Sequence, residues 1–176
     1  MIHVKKIVVI GGESTGKSTL CEQLASIYKT AWVEEYARTY LENLNRPYVQ
    51  DDLLVIAKGQ VASEEYFIQD ADRLLFCDTD LHVIKVWSEF KYGEFDPVIS
   101  EMMKRNSYDG YILTSPDFPW KEDPLREHPE PALREHFFSV YHTIVAESGL
   151  PYCIVKGSKT ERMQIARDFI DGLLND

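Results

Sequence analysis

Residues 11–20 read GGESTGKSTL and follow directly on VKKIVVI at positions 4–10. The order of these two pieces decides the fold. The short apolar run, rich in β-branched residues, predicts a buried strand. Gly11 and Gly16 bracket four residues and are followed by Lys17 and Ser18, the pattern G-x-x-x-x-G-K-[ST]. Glycines at these places let the backbone fold tightly enough for its N–H groups to surround phosphate oxygens. A helix opening near Lys17 turns its positive end on the same oxygens. Gly11, Glu13, Ser14, Thr15, Gly16, Lys17, Ser18 and Thr19 are therefore the expected nucleotide contacts. Lys17 is expected to reach the β- and γ-phosphates of ATP, and Ser18 to ligate Mg²⁺.

Outward from this loop, short apolar strands alternate with helical patterns. Residues 17–28 read as a helix with Leu20, Leu24 and Ile27 on one face. Strands are expected at 31–34, 74–77, 111–114 and 152–155, and helices at 36–45, 51–70, 80–91, 97–105 and 131–148. Asp96 and Pro97 form a helix start, Gly149 a helix stop, and Ser158 with Glu161 a capping box for the last helix. Alternation of this kind implies a parallel sheet with helices on both faces. The expected architecture is a single α/β domain over 1–176, a P-loop NTPase three-layer α/β/α sandwich. It has a five-stranded parallel sheet and a helical lid at about 115–130. That segment holds Pro116, Pro119, Pro124 and Pro129 among mixed charges.

Composition narrows the partners. The chain has 19 basic and 29 acidic residues, a net charge of −10. It shows no Lys/Arg cluster of the kind a duplex binder presents, so no nucleic-acid partner is expected. No apolar run approaches the ~18 residues of a membrane span, so no membrane partner is expected either. The opening lysines and four-residue apolar stretch run straight into the glycine loop and are not read as a targeting signal. Cys21, Cys77 and Cys153 stand singly, as reduced thiols of a cytoplasmic protein do. A small-molecule, nucleoside-like substrate fits this balance.

A second acidic site is expected at another strand end. LLFC at 74–77 runs into Asp78, the one apolar strand that ends directly in an acid, so Asp78 is the expected Mg²⁺ partner of Ser18. Asp80 either caps the next helix or meets the substrate. A guanine-reading [NT]-K-x-D is missing, since Thr114-Ser115-Pro116-Asp117 lacks the lysine, and no D-x-x-G follows the third strand. This argues against a GTP switch, although guanine as the donor base stays open. The chain is too short for the coupling region of a motor. A small kinase needs an acid beside the acceptor hydroxyl, an acceptor site and a lid that excludes water. Glu34 or Glu35, after the second strand, supplies the acid. Lys121, Arg126 and Arg134 supply lid cations that would neutralise charge developing in transfer.

Taken in order, GGESTGKSTL, EEYAR (34–38), FCDTDL (76–81) and DFPWKEDPLR (117–126) resemble the nicotinamide riboside kinase domain of NadR-type proteins. The likeness covers nearly all of the chain. It implies ATP- and Mg²⁺-dependent phosphorylation of the ribose 5′-hydroxyl of nicotinamide riboside. It places Glu35, Tyr36 and Arg38 on the acceptor side, Asp78 and Asp80 on the family's D-T-D, and Trp120, Asp123 and Arg126 on its lid pattern W-x-x-D-x-x-R. This singles out Arg126 as the lid arginine that closes over the transferring phosphoryl group. Pro124 stands where the family often has glycine. The resemblance does not extend to the DNA-binding and adenylyltransferase domains of NadR-type proteins, so transcriptional regulation is not expected. For a nicotinamide ring, Tyr36, Tyr40, Trp87 and Tyr92 are the available aromatic residues. By analogy with related kinases, the adenine is expected against residues 156–160 with Arg162 stacked on it. The same build suits another nucleoside or a vitamin alcohol as acceptor, or a nucleotide-binding regulator with no acceptor.

Overall fold

The computed structural model describes residues 3–175. Five strands form one parallel sheet in the order β2-β3-β1-β4-β5. They are β1 (Lys5–Ile10), β2 (Trp32–Val33), β3 (Leu74–Asp78), β4 (Gly110–Thr114) and β5 (Tyr152–Val155). The helices are α1 (Lys17–Tyr28), α2 (Tyr36–Glu42), α3 (Gln50–Phe67), α4 (Leu81–Tyr92), α5 (Pro97–Arg105), α6 (Pro131–Glu147) and α7 (Lys159–Asn175). A 3₁₀ turn, Ile68–Asp70, finishes the stretch expected as one long helix after α3.

β1 lies at the centre, with Ile7 opposite Phe76 of β3 and Val8 opposite Tyr111 of β4. Successive side chains of a strand point to opposite faces, and the core divides accordingly. Ile7, Val9, Phe76 and Ile112 pack with Leu20 and Leu24 of α1 and Ala166 and Ile170 of α7. Val8, Ile10, Leu75 and Leu113 pack on the other face with Phe137, Tyr141 and Val145 of α6. Both faces of β1 are covered, which explains its unbroken apolar run. The α1 stripe differs in one place from the expectation: Leu20, Cys21, Leu24 and Ala25 are buried, while Ile27 is 44% exposed.

A third cluster joins α2, α3, α4 and α5 beside the β2 edge. Ala37, Leu53, Ile56, Leu81, Ile84 and Ile99 are its buried members. The ends of α5, α6 and α7 follow the sequence signals. Asp96 Oδ1 accepts from the Val98 N–H at 2.8 Å, Gly149 has φ of 72°, and Ser158 and Glu161 cap each other reciprocally.

The helical lid is corrected. Residues 115–130 contain no helix. The four prolines lack N–H donors, and each biases the residue before it away from helical backbone. A turn forms at Asp123, whose carboxylate accepts from the Leu125 N–H at 3.0 Å and whose carbonyl accepts from the Arg126 N–H at 3.0 Å.

Candidate active site

All five strands point their carboxyl ends to one edge, and the loops there enclose a cavity of about 430 Å³. Gly11 to Thr19 line one end of it. Gly16 adopts a left-handed φ of 84° at the N-cap of α1, under the ring of Phe118. Gly11 passes so close to Thr114 that a Cβ would lie 2.1 Å from its Oγ1. The Thr15 hydroxyl faces inward, bonding the Gly12 carbonyl at 2.8 Å and Thr114 Oγ1 at 2.6 Å. Lys17 Nζ donates to the Gly12 carbonyl at 2.9 Å.

Ser18 Oγ donates to Asp78 Oδ2 at 2.5 Å, which joins the loop to the end of β3. Asp78 is fully buried. Burial raises its carboxyl above the ordinary carboxylate range, Glu35 adds to the rise, and Lys17 and the Ser18 bond oppose it. Hydroxyl and carboxylate oxygens are the hard donors Mg²⁺ prefers. Mg²⁺ commonly keeps few protein ligands and completes its shell with phosphate and water. No group of three or more His, Cys, Asp or Glu side chains suited to a metal occurs among the described residues. The pair Ser18–Asp78 therefore fits a nucleotide-bound Mg²⁺.

Asp80 is corrected as a substrate contact. Thr79 has φ of 76°, rare for a β-branched residue. That turn breaks the alternation that would have put positions 78 and 80 on one face. Asp80 is fully buried, caps α4 through the His82 N–H at 2.9 Å, and also bonds His82 Nδ1 at 2.7 Å and Tyr111 Oη at 3.1 Å.

Glu35, the residue before α2, lines the same cavity. Its carboxylate is half-buried and has no hydrogen-bond partner among the described residues. Glu34 is exposed and does not line the cavity. Arg38 and Trp87 line it as well, and Arg38 Nη2 donates to Asp123 of the lid at 2.9 Å. Tyr36 and Tyr92 do not reach it. Tyr36 packs over Gly59 and Tyr92 joins the third cluster, so both are corrected from acceptor contacts to packing residues. Tyr40 also leaves the slot, donating its hydroxyl to Asp52 at 2.7 Å.

The lid lies over the loop. The Glu13 carboxylate accepts the main-chain N–H groups of Glu127 and His128 at 3.0–3.2 Å, so this side chain serves the lid and not the phosphates. Ser14 Oγ accepts the Lys121 N–H at 2.9 Å. Arg126 lines the cavity with one Nη 3.4 Å from Ser14 Oγ. Lys121 does not line it, and Arg134 is tied to the Phe118 carbonyl at 2.8 Å. Trp120 is corrected from a substrate contact to a lid spacer. Its ring lies near the guanidinium groups of Arg126 and Arg134, at 5.9 and 5.8 Å, and is absent from the cavity wall.

Arg162 is corrected too. Only 4% exposed, it donates to the carbonyls of Gly157, Thr15 and Ser115 at 2.9–3.0 Å and pairs with Asp117. Its guanidinium carbon sits 3.8 Å from the Phe118 ring centroid. It presents no open face to an adenine and instead anchors the phosphate loop to the lid root and the β5–α7 turn. Sequence reasoning missed Arg46, Tyr48, Phe90 and Glu127, all of which line the cavity. Their positions between or beyond regular motifs carried no local signal.

A family model described as an AAA domain matches residues 6–162. The trifunctional NAD biosynthesis/regulator protein NadR of Salmonella typhimurium is 26% identical over 159 residues, covering 87% of this chain and 38% of its own length. The chain thus spans well under half of the curated relatives it matches. The crystal structure of NadR protein in complex with NR superposes with a TM-score of 0.81 at 23% identity, over 98% of this chain and 50% of that one. A second NadR structure, with NAD and AMP-PNP, gives 0.80 at 23% identity, over 98% and 50% of the two chains. Deoxyadenosine kinase from M. mycoides gives 0.67 at 13% identity, over 95% and 99% of the two chains. The fold is thus that of small P-loop kinases, and the chain belongs to the AAA domain family whose model spans its phosphate loop, sheet and lid.

Proposed function

We propose that this protein transfers the γ-phosphoryl group of ATP to a primary hydroxyl of a nucleoside, and that the acceptor is nicotinamide riboside, giving nicotinamide mononucleotide. The observation that carries this reading is the placement of Glu35. An unpartnered carboxylate faces the same cavity as Lys17, Ser18 and Arg126, as an acid beside an acceptor hydroxyl must. The similarity to NadR, solved with NR and with AMP-PNP, supports the choice of acceptor and of ATP.

In this reading the loop N–H groups and Lys17 hold the phosphates, and Ser18 and Asp78 hold Mg²⁺. The metal supplies charge neutralisation at the phosphate oxygens. Glu35 accepts the hydroxyl proton or orients the hydroxyl, and Arg126 faces the transferring group. Phosphoryl transfer needs little covalent help, so positioning and charge carry most of the rate. A lid latched over the loop keeps water from competing with the acceptor. The site is that of a protein acting on small molecules, and no helix among the described residues is long and apolar enough to cross a membrane.

The test is ADP release from ATP and Mg²⁺ with a panel of nucleosides and vitamin alcohols, with the product identified by mass. Turnover with nicotinamide riboside is the expected result. Turnover with another nucleoside alone overturns the acceptor, and no acceptor-dependent turnover across the panel overturns the kinase.

A further inference from the structure

Glu127 is held from two directions. Its main-chain N–H donates to the Glu13 carboxylate of the phosphate loop at 3.1–3.2 Å. Its side chain accepts from the Tyr48 hydroxyl at 2.8 Å and from Lys91 Nζ at 3.0 Å. The Tyr48 hydroxyl also accepts from Trp87 Nε1 at 2.9 Å, and the two rings meet edge-on at 5.0 Å. The Lys91 ammonium group bonds the same hydroxyl and lies over the Tyr48 ring, 3.9 Å from its centroid. Tyr48 and Trp87 both line the cavity. One lid residue thus ties the loop expected to hold the donor phosphates to the aromatic wall expected to hold the acceptor.

The parts differ in weight. The Lys91–Glu127 pair is more than a third exposed on both sides, and such a pair contributes little by itself. The Tyr48–Glu127 bond differs in what it fixes. Tyr48 comes from the loop before α3 and Trp87 from α4, so the bond sets the aromatic wall relative to the lid. A ligand that favours the latched lid from either side lowers the cost of latching for the other. Such a coupling is reciprocal.

We propose that Glu127 is a positioning residue that couples the two halves of the cavity, so that nucleotide at the phosphate loop tightens binding of the acceptor. This rests on the phosphotransfer reading above. Calorimetry would measure the dissociation constant of nicotinamide riboside with and without AMP-PNP and Mg²⁺, for the native chain, Glu127→Ala, Tyr48→Phe and the double variant. The native chain is expected to bind the acceptor roughly tenfold more tightly with AMP-PNP present. Each single variant is expected to bring that ratio close to one, and the double variant to bring it no lower than either. A general loss of stability leaves the ratio alone. An undiminished ratio in both single variants overturns the proposal.

A native chain that binds no nicotinamide riboside overturns the acceptor instead. Amide exchange with AMP-PNP alone then decides the coupling. Slowing that reaches residues 44–49 in the native chain but not in Glu127→Ala upholds it, and slowing confined to the phosphate loop overturns it.

Discussion

Ser18 Oγ reaches Asp78 Oδ2 across 2.5 Å, although the two residues lie 60 apart in the chain. The contact exists because β1 and β3 are parallel neighbours, with Val9 opposite Asp78. Both strands therefore end at the same edge, one in the phosphate loop and the other in an acid. The pair has the oxygens Mg²⁺ takes, and Lys17 opposes the rise in the Asp78 pKa.

Asp78→Asn keeps an acceptor for the Ser18 hydroxyl but removes the charge. Mg²⁺ is expected to strengthen AMP-PNP binding in the native chain. In the variant that enhancement should fall by roughly tenfold or more, with metal-free affinity nearly unchanged. Titration of AMP-PNP with and without Mg²⁺ checks it, and equal enhancement in both proteins removes Asp78 from the metal site.

Glu35 and Glu34 are adjacent, yet only Glu35 lines the cavity. Glu35→Gln should lower turnover by roughly a hundredfold with ATP affinity within about twofold of native, while Glu34→Gln stays close to native activity. Steady-state kinetics with direct nucleotide titration separates the two. Full activity in Glu35→Gln would move the acid role to another group.

The sheet and the phosphate loop were legible because their signals are local. GGESTGKSTL carries its geometry in spacing, and LLFC-Asp78 announces a strand that ends in an acid. Spacing left Glu34 and Glu35 open, since the choice depends on where one short strand turns into α2, and the family resemblance supplied Glu35. For Asp80 the sequence left helix cap and substrate contact open, and the cap is what forms. Thr79 takes a left-handed turn that period-two alternation does not foresee. Arg162 reaches Thr15 and Asp117, 147 and 45 residues away, and Glu127 reaches Glu13 and Tyr48, 114 and 79 away, and no window of sequence contains both ends of such a contact. Asp123 is the lid residue for which family resemblance supplied what spacing did not, and its bond to Arg38 spans 85 residues.

Gly59 sits within α3, where alanine would ordinarily stabilise the helix by up to about 1 kcal/mol. Here a Cβ would lie 2.1 Å from the Tyr36 ring. Gly59→Ala should therefore lower the melting temperature, because Tyr36 must move out of the third cluster. In a Tyr36→Ala background the same change should raise it. Thermal denaturation of the four proteins gives the sign in each background, and a stabilising Gly59→Ala in the native background would show that Tyr36 moves aside at no cost.

His82 and Asp80 bear on stability against pH. Burial lowers the His82 pKa, but the bond to Asp80 and its charge outweigh this, and Lys85 opposes them weakly, so the net shift is upward. The Tyr111 hydroxyl and the His82 N–H also donate to Asp80. A folded pKa above the unfolded value of about 6.5 means the stabilisation is fully present below that value. It is lost as pH rises through the folded pKa. The melting temperature of the native chain relative to His82→Gln should therefore be most favourable at about pH 5.5 and shrink toward about pH 8.5. A difference that grows with pH would contradict the pairing.

Arg162 separates two roles that the sequence could not. If it anchors the loop, Arg162→Gln leaves the buried carbonyl of Thr15 and the part-buried contacts at Ser115 and Gly157 short of donors and Asp117 without its cation. Asp117 is 39% exposed at its side chain, so water recovers part of the ionic loss. The expected cost is about 3 kcal/mol, mostly from the orphaned carbonyls. Because the Thr15 carbonyl belongs to the phosphate loop, affinity for ATP and GTP should fall by a similar factor, leaving their ratio within about twofold of native. Adenine stacking predicts the reverse, a stable protein whose preference between the two bases changes. Denaturant unfolding combined with titration of both nucleotides distinguishes them. A native midpoint with an altered base preference would restore Arg162 to the nucleotide site.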